Sequence, residues 1–459
     1  MAATGTVGLV RTATEFRRWW SDRQRAGRFE VIRVPFTDLA PWSFHQDTGN
    51  LRHASGRFFT IEGIRVEVGG TPIRAQPIIN QPEIGVLGLL VREIDEVLHC
   101  LLQAKMEPGN INTLQLSPTV QATRSNYTQV HRGDRTRYLE YFIGDDLGET
   151  IVDVNQSEQG TWYWRKRNRN IVVLIDREVP LTDDYRWLPI SLVYQLLRVD
   201  HLVNMDTRTV LACLPMSEST TAPNTLDATR AAAELLDASY FNGTPRASRT
   251  SRHGLSEIMS WLIDAKTRCE WDTRLVPLCD VPTWRRTDDE ITDGDRGHFR
   301  VIGIRATAGN REVTTWTQPL LAPRGHGLAV FVTKRFNGVP HLLVAARSEI
   351  GLLDMVEIGP TVHLQPGEDA SSLDHPLLKR VAMAEIGRLR YDAMLSEEGG
   401  RFHHAVTRYR VIEIDDELPV DFPENFCWLT IRQLMTLLRH GHYVNIEART
   451  LLACTHVLS

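Results

Sequence analysis

The sequence predicts an α+β protein built twice, each copy a mixed, largely antiparallel sheet flanked by helices, the two packed about a pseudo-twofold axis. Duplication is the first observation behind this. The stretch from Gln76 to His131 returns from Gln318 with its spacing kept, so that Gln76 answers to Gln318, His99 to His341, Ala104 to Ala346, Glu107 to Glu349, Gly109 to Gly351 and Pro118 to Pro360. An ungapped correspondence over so long a block marks an internal repeat. The second observation is periodicity: short apolar runs separated by turn residues fill the middle of each copy, with helical patterns at its two ends. Finally, no Gly-x-Gly-x-x-Gly follows a strand, which argues against a parallel dinucleotide-binding sheet.

Each copy opens with a helix. Thr12 and Glu15 have capping-box spacing, Phe16, Trp19 and Trp20 form an apolar stripe, and Gly27 stops it; Ser256, Glu257 and Trp261 repeat the pattern. A strand runs from Phe29 to Phe36, and the polar segment PWSFHQDTGNLRHASG after it reads as irregular. RFFTIEGIRVEV and its counterpart HFRVIGIRATA, starting at His298, read as strands. The central block gives strands from Ile84 to Arg92 and Val97 to Ala104, a loop from Lys105 to Gln115 around Pro108-Gly109, and an extended segment from Leu116. GETIVDVNQSEQGTWYWRKR reads as a hairpin turning at Ser157 to Gly160, matched by LSEEGGRFHH from Leu395. WLPISLVYQLLR and WLTIRQLMTLLR read as closing helices, each followed by Val-Asn and a short helix ending in Leu-Ala-Cys. The predicted division is a first repeat over 1–215, a linker over 216–253 and a second repeat over 254–459. The linker reads as a tether, with a helix from Asn224 to Ala238 and a basic tail carrying Arg246, Arg249 and Arg252.

Length and composition narrow the function. At 459 residues, 42% hydrophobic and 24% charged, the chain suits two globular domains. A net charge of −5 gives no bulk reason to bind nucleic acid. Six cysteines without a CxxC pair argue against a disulfide framework or a cysteine zinc site. The N-terminus lacks a signal-peptide pattern and no apolar run is long enough to span a membrane, so a cytoplasmic protein is expected. GxSxG, HExxH and Walker patterns are missing, His403-His404 reads as a surface pair, and no metal site is expected.

What both copies share is explained by their shared fold. Gly109 and Gly351 are expected to serve backbone conformations closed to other residues, and His99 and His341 to be core histidines. The differences are informative. Glu83 stands against Gly325, Gln115 against Glu357, Ser117 against Gly359 and Gln121 against His363, and beyond Val120 copy one alone carries Arg124, Asn126, Tyr127 and His131. Ionisable side chains gathered in loops at one sheet edge suit a small-molecule pocket in copy one. Lys105 and Arg124 offer positive charge for a diphosphate or an enolate oxygen. Glu83, Glu107, Tyr127 and His131 are the groups able to move protons, while Gln115, Gln121, Ser125 and Asn126 can read sugar hydroxyls.

At LLQAKMEPGNINTLQLSPTVQATRSNYTQVH and at WSFHQDTGNLRHASGRFF, the chain resembles the NDP-hexose 2,3-dehydratases of actinomycete pathways that make deoxysugars for antibiotics, glycopeptides among them. The resemblance covers nearly the whole chain. It implies two tandem Nudix-like domains in a homodimer, with one working site and one relic, although the Nudix box itself is missing from both copies. It implies a dTDP-4-keto-6-deoxyglucose substrate, no cofactor, and loss of the C2 hydroxyl to give a 3,4-diketo-2,6-dideoxy sugar, which a partner 3-ketoreductase would capture. Tyr127, Glu107 and His131 are then the candidate proton carriers, unranked, with Lys105 as the fourth catalytic group. Glu83, Gln115, Ser117, Thr119, Gln121, Arg124, Ser125, Asn126 and His53 are the substrate-binding set, and Arg347, Glu349, Thr361 and His363 mark the relic nucleotide site. A metal-dependent nucleotide-sugar pyrophosphohydrolase and a non-catalytic nucleotide-sugar scaffold are the competing readings.

Overall fold

The computed structural model describes residues 8–123, 136–144, 148–215, 251–294, 297–308, 314–414 and 422–455. The predicted linker helix, Arg246 and Arg249 lie outside these residues. Each repeat contains a seven-stranded mixed sheet. In the first, Gly85–Ile94 lies between the antiparallel Val97–Met106 and the parallel Arg167–Leu174; in the second, Gly327–Phe336 lies between Val339–Ser348 and Val406–Glu413 in the same way. These central strands are buried on both faces, which is why they read as continuous apolar runs. The chain is therefore α+β with one mixed sheet of this kind per repeat.

Two five-stranded sheets join the repeats by exchange. Phe29–Val34 of the first repeat pairs antiparallel with Phe299–Ala308 of the second, and Trp271–Val276 pairs with Thr60–Val68 of the first. The short helices that carry Leu-Ala-Cys, Met205–Cys213 and Ile446–Thr455, are buried at every position and share one core with both large sheets. Within it Arg208 is fully buried and donates to the Val203 and Ser396 carbonyls; Arg449 donates likewise to those of Val444 and Ser157. Each guanidinium satisfies carbonyls of both repeats, so removing either would leave buried acceptors unpaired.

Local details both match and correct the sequence reading. Thr12 and Glu15 do form a capping box on Ala13–Ala26, burying Phe16, Trp19 and Trp20. The segment read as irregular contains a small hairpin, Trp42–Phe44 with Leu51–His53, strands too short to display a period. The expected loop from Lys105 to Gln115 is shorter: Lys105 and Met106 continue one strand and Leu114 and Gln115 begin the next, paired in register. Trp187 and Trp428 belong to strands rather than to the helices that follow. His99 and His341 are buried, each with Nδ1 against the carbonyl two residues earlier, at 2.8 and 2.9 Å. Arg252, at the end of the linker, donates its backbone N–H to His341 Nε2. Cys213 and Cys454 are buried, their thiols pushed up to about 11 by burial. No helix among the described residues is long and apolar enough to cross a membrane.

Gly109 and Gly351 are conserved between the copies for a different reason than expected. Neither takes a positive φ. A Cβ on Gly109 would lie 1.7 Å from the Phe402 carbonyl oxygen, and one on Gly351 would lie 1.8 Å from that of Tyr163. Gly109 N–H donates to Gly399 and Gly351 N–H to Gly160, so each repeat's glycine loop receives the other's hairpin turn.

Candidate active site

Strand alternation builds the floor of the copy-one site. Along Val97–Met106 and its partner Leu114–Ser117, residues Leu102, Ala104, Leu114 and Leu116 face the core, leaving Gln103, Lys105, Gln115 and Ser117 on the other side, with Gln103 opposite Ser117 and Lys105 opposite Gln115. Glu107 lies just past the strand, buried, with Lys105 Nζ 3.0 Å from its Oε1. Gln121, on Val120–Ala122, donates to the same oxygen across 3.0 Å and accepts from Ser117 Oγ at 2.9 Å.

The helix Met205–Cys213 completes this network. Asn204 caps its first turn by accepting from the Thr207 N–H at 2.8 Å, and its amide donates to Ser117 Oγ at 3.2 Å. Asp206, two residues on, is buried. Burial, then the neighbouring Glu158, Glu398 and Glu107, holds its carboxyl well above the usual range and so favours its protonated form.

The exchanged hairpins bring further groups. The turn of the second repeat supplies Glu398 and Arg401; a Cβ on the adjacent Gly400 would stand 3.8 Å from Glu107 Oε1. Tyr163 donates to Glu398 at 2.6 Å, and burial keeps that phenol neutral. Burial raises Glu398, against the opposing charge of Arg401. Glu158 accepts from Asn168 at 2.6 Å and is pushed up to about 7 by burial, while burial brings the Lys166 ammonium down to about 8. The site therefore combines an ion-paired carboxylate with carboxyls whose affinity for a proton is raised by desolvation and mutual repulsion, the arrangement that separates a base from an acid.

Lys105, Glu107, Ser117 and Gln121 of the expected set are brought together. Gln115 lies beside them, 1% exposed, donating to Asn112 Oδ1. Thr119 is placed differently: its hydroxyl accepts from Leu90 N–H and donates to the Leu101 carbonyl, and Thr361 repeats this between Val332 and Leu343. The Glu83 carbonyl receives Lys166 Nζ. His53 sits on the small hairpin against Trp42, Phe58 and Ser55. Tyr127, His131, Arg124, Ser125 and Asn126 lie outside the described residues. Sequence reasoning missed Asp206, Asn204, Glu158, Glu398, Arg401 and Tyr163. Two signals pointed toward them: an acid follows Val-Asn-x in both copies (Asp206, Glu447), and the hairpin turns read Ser-Glu-Gln-Gly and Ser-Glu-Glu-Gly.

The second repeat has a related but different cluster. Glu349, the counterpart of Glu107, accepts from Asn445 at 2.9 Å, and Arg347 donates to the His363 carbonyl at 2.8 Å. Glycine at 359 makes room for this, since a Cβ there would lie 2.4 Å from Arg347 Cδ. Glu349, His363 and Glu447 each present a ligand atom within 4.8 Å of the others.

A family model described as NDP-hexose 2,3-dehydratase matches residues 13–214 and again 255–455. The chain belongs to this family. A Saccharopolyspora spinosa protein is 47% identical over 462 residues, spanning 100% of this chain and 94% of its own. Proteins of Streptomyces violaceoruber and Amycolatopsis orientalis are 46% and 43% identical, spanning 100% and 99% of this chain and 98% and 92% of their own. All three are named dTDP-4-dehydro-6-deoxy-α-D-glucopyranose 2,3-dehydratase.

Proposed function

We propose that this dehydratase acts on dTDP-4-keto-6-deoxyglucose in the first repeat, removing the C3 proton and the C2 hydroxyl as water. The observation that carries the site assignment is the Glu107–Lys105 pair set near the buried Asp206, whose carboxyl is raised by burial and by Glu158, Glu398 and Glu107. The 4-keto group acidifies C3–H, so a carboxylate can take that proton if a cation meets the enolate oxygen as it forms. Glu107 is assigned as that base and Lys105 as the cation. Asp206 gives its proton to the departing C2 hydroxyl, and the resulting enol becomes the 3,4-diketone by taking a proton at C2. Each proton transfer by a positioned side chain contributes about 10²–10⁴-fold. Glu398, Tyr163 and Arg401 close the site from the hairpins and hold the carboxyls in their protonation states. Tyr127 and His131 remain in the proposed set as groups of the adjoining segment, with Arg124 for the diphosphate.

The same reading carries a Nudix-like ancestry for each repeat, supported by the mixed sheet with flanking helices. It also carries a homodimer, a soluble cytoplasmic enzyme of antibiotic deoxysugar synthesis, and a 3-ketoreductase to reduce the reactive diketone. Incubation with dTDP-4-keto-6-deoxyglucose in D₂O tests the reaction. Loss of the C2 hydroxyl with deuterium entering at C2, or release of dTDP as the product decays, is expected by NMR and chromatography. Unchanged substrate after prolonged incubation would overturn it.

A further inference from the structure

Three carboxylates of the second repeat, Glu349, Glu397 and Glu447, are 6, 3 and 5% exposed. Two have donors. Asn445 serves Glu349, while Tyr409 and Gln159 serve the two oxygens of Glu397. Glu447 differs: its Oε2 is buried with no hydrogen-bond partner, and its Oε1 stands 3.8 Å from His363 Nε2. Two guanidiniums are close, but Arg347 donates to the His363 carbonyl and Arg449 to Ser157, Thr209 and the Val444 carbonyl. Buried charge of this kind must be neutralised by protons or by a cation.

We infer that Glu349, His363 and Glu447 form a binding site for a first-row divalent cation, which would answer the unpartnered Glu447 oxygen. Atoms sharing one such ion at about 2.0–2.2 Å stand roughly 3–4 Å apart, matching the His363–Glu447 separation. An imidazole with two carboxylates suits Zn²⁺ or Mn²⁺. His363 and Glu447 also line a cavity of about 10 Å³, the room of one small ion or water. Gln365, whose amide lies 3.2 Å from His363 Nε2, yields that nitrogen to the ion.

Copy one offers the contrast that makes the site specific. There the counterpart of His363 is Gln121, whose amide already joins Glu107 to Ser117, and Lys105 provides the positive charge. The proposed ion therefore sits in the second repeat alone. Gln159, Thr161 and Trp162, from the hairpin of the first repeat, line the same cavity. Binding there steadies the hairpin that also carries Glu158 and Tyr163.

The test uses the full chain, stripped with chelator and then equilibrated separately with Zn²⁺ and Mn²⁺ before gel filtration and elemental analysis. Expected is about one ion per chain with a raised Tm, falling at least tenfold in His363→Gln and in Glu447→Gln, and kept in Glu107→Gln. Cobalt substitution of the wild type, read by visible absorption, gives bands of a nitrogen and oxygen site without depending on a variant. Less than a tenth of an equivalent in the wild type, or a full equivalent in folded His363→Gln, would overturn the inference.

Discussion

The Tyr163 hydroxyl, from the first repeat, donates to the Glu398 carboxylate of the second across 2.6 Å. This bond ties two hairpins at the edge of a site whose other groups, Lys105, Glu107, Gln121 and Asp206, lie in the first repeat. In the proposed assignment the second repeat is more than a relic partner, because its turn supplies side chains to the site of the first.

Replacing Tyr163 by Phe removes the donor and leaves a half-buried carboxylate oxygen with less to stabilise its charge. A loss of about 1.5–3 kcal/mol is expected in urea denaturation, the usual range for a hydrogen bond to a charged group. A double-mutant cycle with Glu398→Gln should return a coupling above about 1 kcal/mol, and strict additivity would show that the two side chains do not act together.

Gly109→Ala probes the contact between glycine loop and hairpin. Its Cβ would meet the Phe402 carbonyl at 1.7 Å, backbone against backbone, so neither side can yield by a rotamer change. Destabilisation of about 3 kcal/mol or more is expected, comparable with severe overpacking. Gly351→Ala should behave alike, whereas Gly254→Ala, with no heavy atom nearer than 3.7 Å, should cost far less. Equal melting temperatures for all three would contradict the close approach.

Glu158 provides a pH test with a definite sign. Its carboxyl is raised by burial to about 7 in the folded chain, so between the ordinary carboxylate range and pH 7 the folded state holds a proton that the unfolded state has released. Stability from this group is therefore present at low pH and is lost as pH rises toward 7, by at most about 1.4 kcal/mol per pH unit. Glu158→Gln should flatten that part of the stability curve. An unchanged slope would place the titration elsewhere.

Much of the fold could be read directly. Capping at Thr12, the apolar central strands and the repeat itself rest on local pattern, and local pattern is what a sequence displays. The strand exchange could not be read in this way. Phe29–Val34 looks the same whichever sheet receives it, and its pairing with Phe299–Ala308 is decided by tertiary packing. The same limit applies to the site. Lys105, Glu107, Ser117 and Gln121 lie close in sequence, with Ser117 and Gln121 standing out where the copies differ. Asp206 and Glu398 reach the site through a distant helix and an exchanged hairpin. Sharing between the copies says little of role: Glu107 answers to Glu349 and the acid after Val-Asn-x recurs, and in each copy these residues stand in a carboxylate cluster on the same frame.

Asp206 and Glu107 decide the central assignment. Because burial favours the protonated form of Asp206, Asp206→Asn is nearly isosteric with that form and should fold with little change in stability while turnover falls about 10²–10⁴-fold. The most direct measurement follows C3–H exchange of dTDP-4-keto-6-deoxyglucose in D₂O by NMR for Glu107→Gln and Asp206→Asn side by side. Expected is loss of both exchange and product in Glu107→Gln, with exchange kept and product lost in Asp206→Asn. Full turnover by both variants would contradict the placement of the chemistry at this pair.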